Sequence, residues 1–284
     1  MIHAVEHSDG CTEHSVVATH PSNMNRPNSQ QTLCVICNCE SRYAEAEAFA
    51  DEQGLPLYRN NNPASALQLR YSDEFVELFD SDLDTGIHVD FVSGVLAHRR
   101  QYGGGRSQAI ARSIGLKHGN APTLLDVTAG LARDACILAA LGCTVTLVER
   151  SPVLYTLIRD GIQRGLTSDA GAGVLGNFMN LVNADARLYL DHLHAKSKPD
   201  VIYMDPMYPE RKKSALVKKD MQILQHLLTE PDDAAQLLAM SRMYARKRVV
   251  VKRPIHAETL AGPAPTTSIS SKKTRYDVYV NEAF

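Results

Sequence analysis

The residues best suited to chemistry lie in DVIYMDPMYP, Asp200 to Pro209, where an apolar run ends at Asp205 and is followed by Pro206, Met207 and Tyr208. A carboxylate and a carbonyl of the proline turn make a pair of acceptors that fits the two N–H bonds of a planar amine. The lone pair of such an amine is delocalised into its ring, so the nitrogen is a weak nucleophile. Holding both N–H bonds turns its electron density toward an electrophile, by positioning and electrostatics rather than by covalent catalysis. Tyr208 adds an aromatic face on which a base can stack. An Asp-Pro turn that only closes a strand has the same residues, so the motif acquires meaning from what accompanies it.

Two earlier segments accompany it. In LLDVTAGLARDA a strand ends at Asp126, turns through Ala129 and Gly130, and enters a helix near Arg133. Small residues let a ligand approach the backbone, and a helix N-terminus presents unsatisfied amides. The full G-x-G-x-x-G pattern is missing, and a plain strand–turn–helix corner would read similarly. Glu149 closes TVTLVE, 23 residues after Asp126, where an acid accepts hydrogen bonds from both hydroxyls of a ribose. Charge-assisted bonds of this kind contribute on the order of 1.5–3 kcal/mol each. Asp185, after the next strand, falls where an acid could meet an adenine amino group. These segments describe a nucleoside site without naming the cofactor, because dehydrogenases use the same arrangement.

The elements that must position these residues alternate from Thr123 onward. TLLDV, TVTLVE, MNLVNAD, DVIYMD and KRVVVK read as strands. ARDACILAALG, SPVLYTLIRDGIQRG and ARLYLDHL read as helices, the second opened by Ser151 as cap and Pro152 at the first helical position. Two more helical stretches, near Leu216 to Leu228 and Asp232 to Tyr244, precede KRVVVK, and TRYDVYV alternates as a final half-buried strand. This order predicts an α/β fold, a Rossmann-like parallel sheet with ligands at the carboxyl ends of its strands. Upstream, strands at Thr32 to Cys37, ALQLRYS, EFVELFD and IHVDF surround the helix SRYAEAEAFADEQG. We expect a leader over 1–31, a small α+β domain over 32–97, a basic Gly-containing connector over 98–122 and the Rossmann-like domain over 123–284.

Composition narrows the setting. No run of about 18 apolar residues exists, so no membrane span is expected, and the polar first 31 residues lack the order of a signal peptide. Cys34, Cys37 and Cys39 lie close together in TLCVICNCE. They lack a fourth ligand at finger-like spacing, and read as small apolar residues of a strand, so no metal is expected. Net charge is −2, but residues 1–97 carry 4 Lys/Arg against 15 Asp/Glu and residues 98–284 carry 26 against 17. The C-terminal part is thus the one suited to a polyanion, although ordinary solvated surface has the same composition.

The Asp205 to Tyr208 segment resembles the D/N-P-P-Y/F box of amino-group methyltransferases. HVDFVSGVLAHRRQYGGGR, LLDVTAGLARDA, LVERSPV, DPMYPERKKSALVKK and KRVVVKRP, with weaker agreement at TRYDVYV, together resemble RsmJ-type ribosomal RNA small subunit methyltransferases over roughly residues 87–284. The resemblance implies a cytoplasmic enzyme that uses S-adenosyl-L-methionine (SAM) to make N2-methylguanosine in 16S ribosomal RNA, free or in the small ribosomal subunit. It implies cofactor contacts at Arg133, Asp134, Glu149, Arg150, Asp185, Ala186 and Asp205, beside the Asp126–Gly130 turn, and catalytic work by Asp205, Pro206 and Tyr208. It also gives meaning to basic residues that could grip RNA: Arg99, Arg100 and Arg106 near the glycines, and Lys212, Lys213, Lys218 and Lys219 after the catalytic box. Each of these also fits a hinge or a solvated helix face. Two positions depart from the family pattern: Ala132 stands where a second Gly is expected, and Asp185–Ala186 replaces a pair of small hydroxyl residues. Because the box accepts several planar amines, a DNA adenine or protein amide methyltransferase is the alternative, and a catalytically silent ribosome-assembly factor a second.

Overall fold

A computed structural model describes residues 33–59, 63, 65–93, 105–117, 119–194, 197–207, 219–228 and 233–284. The leader, the first part of the Gly-containing connector (98–104) and the segment 208–218 lie outside the described residues.

The apolar runs after Thr123 become the middle of a seven-stranded sheet. Its strands are β6 (Leu124–Asp126), β7 (Val145–Glu149), β8 (Met179–Asn183), β9 (Val201–Met204), β10 (Arg248–Pro254), β11 (Thr267–Ser270) and β12 (Thr274–Val280), in the order β11-β12-β10-β9-β6-β7-β8. Strands β10, β9, β6, β7 and β8 run parallel, while β12 is antiparallel to both β10 and β11. The chain order reverses between β6 and β9, so their carboxyl ends splay apart and leave a crevice there. This is the expected Rossmann-like sheet, with an antiparallel hairpin closing one edge.

Side-chain alternation along these strands divides the core in two. Leu124, Val145, Leu147, Val201, Tyr203, Val250, Tyr276 and Val278 pack on one face, and Leu125, Val148, Ile202, Met204, Val249, Val251 and Tyr279 on the other. A sheet covered on both faces needs apolar residues at consecutive positions. That explains why TRYDVYV, expected to be half-buried, instead buries Tyr276, Asp277, Val278 and Tyr279 in a row: β12 lies between two neighbours and beneath both layers.

The helices are α1 (Tyr43–Gln53), α2 (Ala109–Ser113), α3 (Arg133–Ala140), α4 (Pro152–Leu166), α5 (Asp169–Phe178), α6 (Ala186–Asp191), α7 (Lys219–Leu227) and α8 (Ala234–Tyr244). Helix α4 begins as its sequence predicts, with Ser151 Oγ accepting from the Leu154 amide and Pro152 at the first position. The sequence reading missed α5, because GAGVLGN is poor in helix formers. Packing overrides that weakness: Leu175 is 2% exposed and seats directly on Gly165, where any side chain would collide with it.

The upstream segment forms a second sheet of β1 (Leu33–Cys37), β2 (Leu57–Tyr58), β3 (Leu67–Tyr71), β4 (Val76–Asp80) and β5 (Thr85–Ile87), in the order β2-β1-β3-β4-β5. IHVDF contributes only its first residue to a strand, since β5 ends at Ile87. Residues 31–284 form one compact unit, and the two sheets share a continuous apolar core. Asp160 of α4, 2% exposed, joins them by accepting from Arg42 Nη1 at 2.7 Å, Arg164 Nε at 2.8 Å and the Val76 amide at 3.2 Å.

Candidate functional site

Parity along the parallel strands decides where the charged residues point. Asp126 shares a face with Leu124, Glu149 with Leu147, and Lys252 with Val250; Tyr203 lies on that same face. With a period of two, all four project toward the N-terminal end of α3. A cleft of about 450 Å³ opens there, lined by Asp126, Gly130, Arg133, Asp134, Glu149, Arg150, Asp185, Ala186, Asp205 and Pro206 among others. Every candidate cofactor residue of the sequence reading therefore borders one cavity. Its volume suits a nucleoside carrying an amino-acid tail.

At one end, Glu149 is 6% exposed and holds the first turn in shape. Its Oε2 accepts from the Gly130 amide and its Oε1 from the Ser151 amide, both at 2.8 Å. These two bonds hold the Glu149 carboxylate in one orientation at the edge of the cleft. Gly130 adopts φ 56°, and Ala132, the position where a glycine was expected, adopts φ 53° as the residue preceding α3. An L-residue with a β-carbon pays for that conformation with roughly 1–2 kcal/mol.

Asp185 caps α6 through the Arg187 amide at 2.8 Å and is gripped by Arg187 Nε at 3.0 Å and Nη2 at 2.6 Å. These bonds hold its carboxyl below the usual aspartate range. Asp233, before α8, pairs with both Arg150 at 3.2 Å and Arg187 at 3.4 Å. Arg187 and Asp233 were not anticipated; the only signal was their charge next to elements already assigned to the site.

The other end of the cleft gathers carboxylates. Asp134 accepts from Tyr203 Oη at 2.8 Å and from Lys252 Nζ at 2.8 Å, and Lys252 Nζ also reaches Asp205 Oδ2 at 2.7 Å. Although burial alone would lower it, the charges of Asp205 and Asp134 hold the Lys252 ammonium well above the ordinary lysine range. The Asp205 amide donates to Thr128 Oγ1 at 2.6 Å, which fixes the start of the Asp205–Pro206 turn against the turn after β6. Asp126 is 4% exposed; burial lifts its carboxyl to about 7, against the Thr128 amide bond, with Asp205, Asp134 and Glu149 adding to the rise. Asp126, Asp134 and Asp205 gather around the Lys252 ammonium at this end of the cleft, and SAM carries a sulfonium and an ammonium that such carboxylates attract. The residues present thus fit that cofactor, whose bound form supplies an electrophilic methyl group.

Of the candidate RNA residues, Arg99, Arg100, Lys212, Lys213 and Lys218 lie outside the described residues, as does Tyr208. Arg106 donates to the carbonyls of Lys117 and Leu141, past the far end of α3 from the cleft. Lys219, at the start of α7, donates to the Leu83 carbonyl of the first sheet at 3.3 Å. Lys273 and Thr274, at the turn between β11 and β12, do line the cleft. Among the described residues, no group of three or more His, Cys, Asp or Glu side chains is placed to hold a metal ion. No helix among them is long and apolar enough to cross a membrane.

The SAM_MT family of SAM-dependent methyltransferases matches residues 50–281. A ribosomal RNA small subunit methyltransferase J of Coxiella burnetii is 45% identical over 251 residues, covering 88% of this chain and 97% of the relative. The protein of that name from Shewanella amazonensis is 50% identical over 220 residues, covering 74% and 88%. The crystal structure of a SAM-dependent methyltransferase from Neisseria gonorrhoeae superposes with a TM-score of 0.67 at 34% identity, covering 87% of this chain and 95% of that one. The chain belongs to the SAM-dependent methyltransferases, in the family of ribosomal RNA small subunit methyltransferase J.

Proposed function

We propose that the chain transfers the methyl group of SAM to the exocyclic N2 amino group of a guanosine in 16S ribosomal RNA, as a cytoplasmic enzyme acting on that RNA or on the small ribosomal subunit. The observation that carries this reading is the placement of Asp205. It stands at the carboxyl end of β9 beside the crevice, 41% exposed, with one oxygen held by Lys252 and the other without a partner among the described residues. An amine entering there can give one N–H to Asp205 and one to the turn at Pro206, with Tyr208 as the stacking partner. Its lone pair then faces the methyl group.

In this reading Glu149 accepts from the ribose hydroxyls. Asp185, Ala186 and Arg150 border the adenine, and Asp126, Gly130, Arg133 and Asp134 border the methionine portion. The relatives' name supports ribosomal RNA as the substrate, and the residue types of the Asp205–Pro206 turn suit a planar exocyclic amine. The strand of RNA would cross the mouth of the cleft near Lys273, with Arg99, Arg100, Lys212, Lys213, Lys218 and Lys219 as the candidate phosphate contacts by their sequence.

Small subunits, purified 16S RNA and DNA, offered side by side with labelled SAM and digested to nucleosides, test the proposal. N2-methylguanosine from the ribosomal substrates is expected. Label in adenine or in protein would move the assignment to the alternative amino-group methyltransferases, and no transfer to any substrate would favour a silent assembly factor. Asp205→Ala should slow single-turnover transfer by about 10²-fold or more, as for one preorganised electrostatic contact, and Asp205→Asn by less, since an amide oxygen still accepts.

A further inference from the structure

We propose that Lys252 is the positioning residue of the reaction: it clamps Asp205 in its accepting orientation and keeps that carboxylate ionised beside Asp134. The proposal rests on Asp205 being the amine acceptor. Nothing in the motif around Asp205 points to Lys252, which lies 47 residues further on.

The geometry is specific. Nζ of Lys252 lies 2.7 Å from Asp205 Oδ2 and 2.8 Å from Asp134 Oδ2, and Asp134 is fixed in turn by the Tyr203 hydroxyl at 2.8 Å. Lys252 is anchored by its strand: the preceding residue, Val251, pairs with Met204, directly before Asp205. The carboxylate's remaining oxygen is therefore presented to the cleft in one orientation, instead of sampling rotamers.

The second consequence is electrostatic. Asp205 faces Lys252 from β10, Asp134 from α3, Asp126 from β6 and Tyr203 from β9, with Tyr276 of β12 and Glu149 of β7 further round the same group. Enclosure by the cleft lifts the Asp205 carboxyl, and the nearby Asp134 adds to the rise, while Lys252 opposes it. Two carboxylates bridged by no cation would share a proton. A protonated Asp205 loses the charge that draws the amine N–H and cannot take up the proton the nitrogen releases once methylated.

The test compares pH profiles of single-turnover methyl transfer to small subunits for wild type, Lys252→Met, Lys252→Arg and Asp134→Asn, with melting temperature and SAM affinity measured on each. Without the cation, the acidic limb of Lys252→Met should move up by about one pH unit or more, so that the rate is lost about tenfold on the acidic side of the wild-type midpoint and recovers as pH rises. Lys252→Arg should keep the wild-type limb. Asp134→Asn removes a like charge and should move the limb down. A folded Lys252→Met with the wild-type midpoint, or one slowed equally at every pH, overturns the proposal. Should Lys252→Met fail to fold, the Asp134→Asn arm decides, and a limb that stays or moves up overturns it. A carbon-13 carboxylate titration, assigned with Asp205→Asn, reads the same shifts without turnover. A failure of guanine specificity in the wild type is therefore distinguishable from a failure of the Lys252 assignment.

Discussion

Asp126→Asn isolates the electrostatic cost of the cleft. Asp126 is 4% exposed, and its carboxyl sits at about 7 instead of the ordinary 3.8. Asn retains the oxygen that accepts from the Thr128 amide at 3.0 Å but never ionises. In wild type the folded state holds a proton that the unfolded chain gives up between pH 4 and 7, so this residue's contribution falls as pH rises through that window. Three pH units at about 1.4 kcal/mol each set an upper bound near 4 kcal/mol. Urea denaturation at pH 4.5, 6 and 8 should show the two proteins within about 1 kcal/mol of each other at the lowest pH. The variant should be the more stable by up to about 4 kcal/mol at the highest. The same charge has a use: a cationic cofactor prefers ionised Asp126, so in calorimetry SAM affinity of the wild type should rise with pH through 7, and that rise should vanish in the variant. Stability curves with a constant offset at every pH would refute the reasoning.

Three further outcomes follow from the same geometry. Glu149→Ala should weaken SAM at least tenfold, about 1.4 kcal/mol, while Glu149→Gln, which keeps one acceptor, should lose less; unchanged affinity in calorimetry would remove Glu149 from the ribose. Ala132→Gly relieves a positive φ at 53° and should stabilise the protein by about 0.5–1 kcal/mol after the entropy of glycine is set against the relief, raising the melting temperature by roughly 1–4 °C; a lower melting temperature contradicts the strain. Replacing exposed Lys272 and Lys273 with Gln should reduce the slope of log affinity for 16S RNA against log salt by about 1 to 2 and leave SAM affinity intact; an unchanged slope would show that these lysines only face solvent.

Local pattern was enough for much of this molecule. Strand–helix alternation specified the parallel sheet because its central apolar runs, β9 and β10 above all, are buried on both faces. Gly130, Glu149 and Asp205 could be placed from the residues that end strands, since parallel strands deliver their carboxyl ends to one edge. Ser151 and Pro152 announced α4 because caps act within one turn. What escaped depended on partners distant in the chain. Helix α5 exists because Leu175 finds Gly165, and β12 is fully covered because β11, itself unanticipated, pairs outside it. Asp160 reads as one more helix charge until Arg42, 118 residues earlier, closes on it. Lys252 looks like the polar end of a strand; only the register of β10 on β9, and the arrival of α3 above them, set its ammonium between Asp134 and Asp205. Residue type and spacing decide which chemistry is available, because they act over a few bonds. Which charge meets which is decided by the packed sheet, because distance through space is set there and nowhere along the chain.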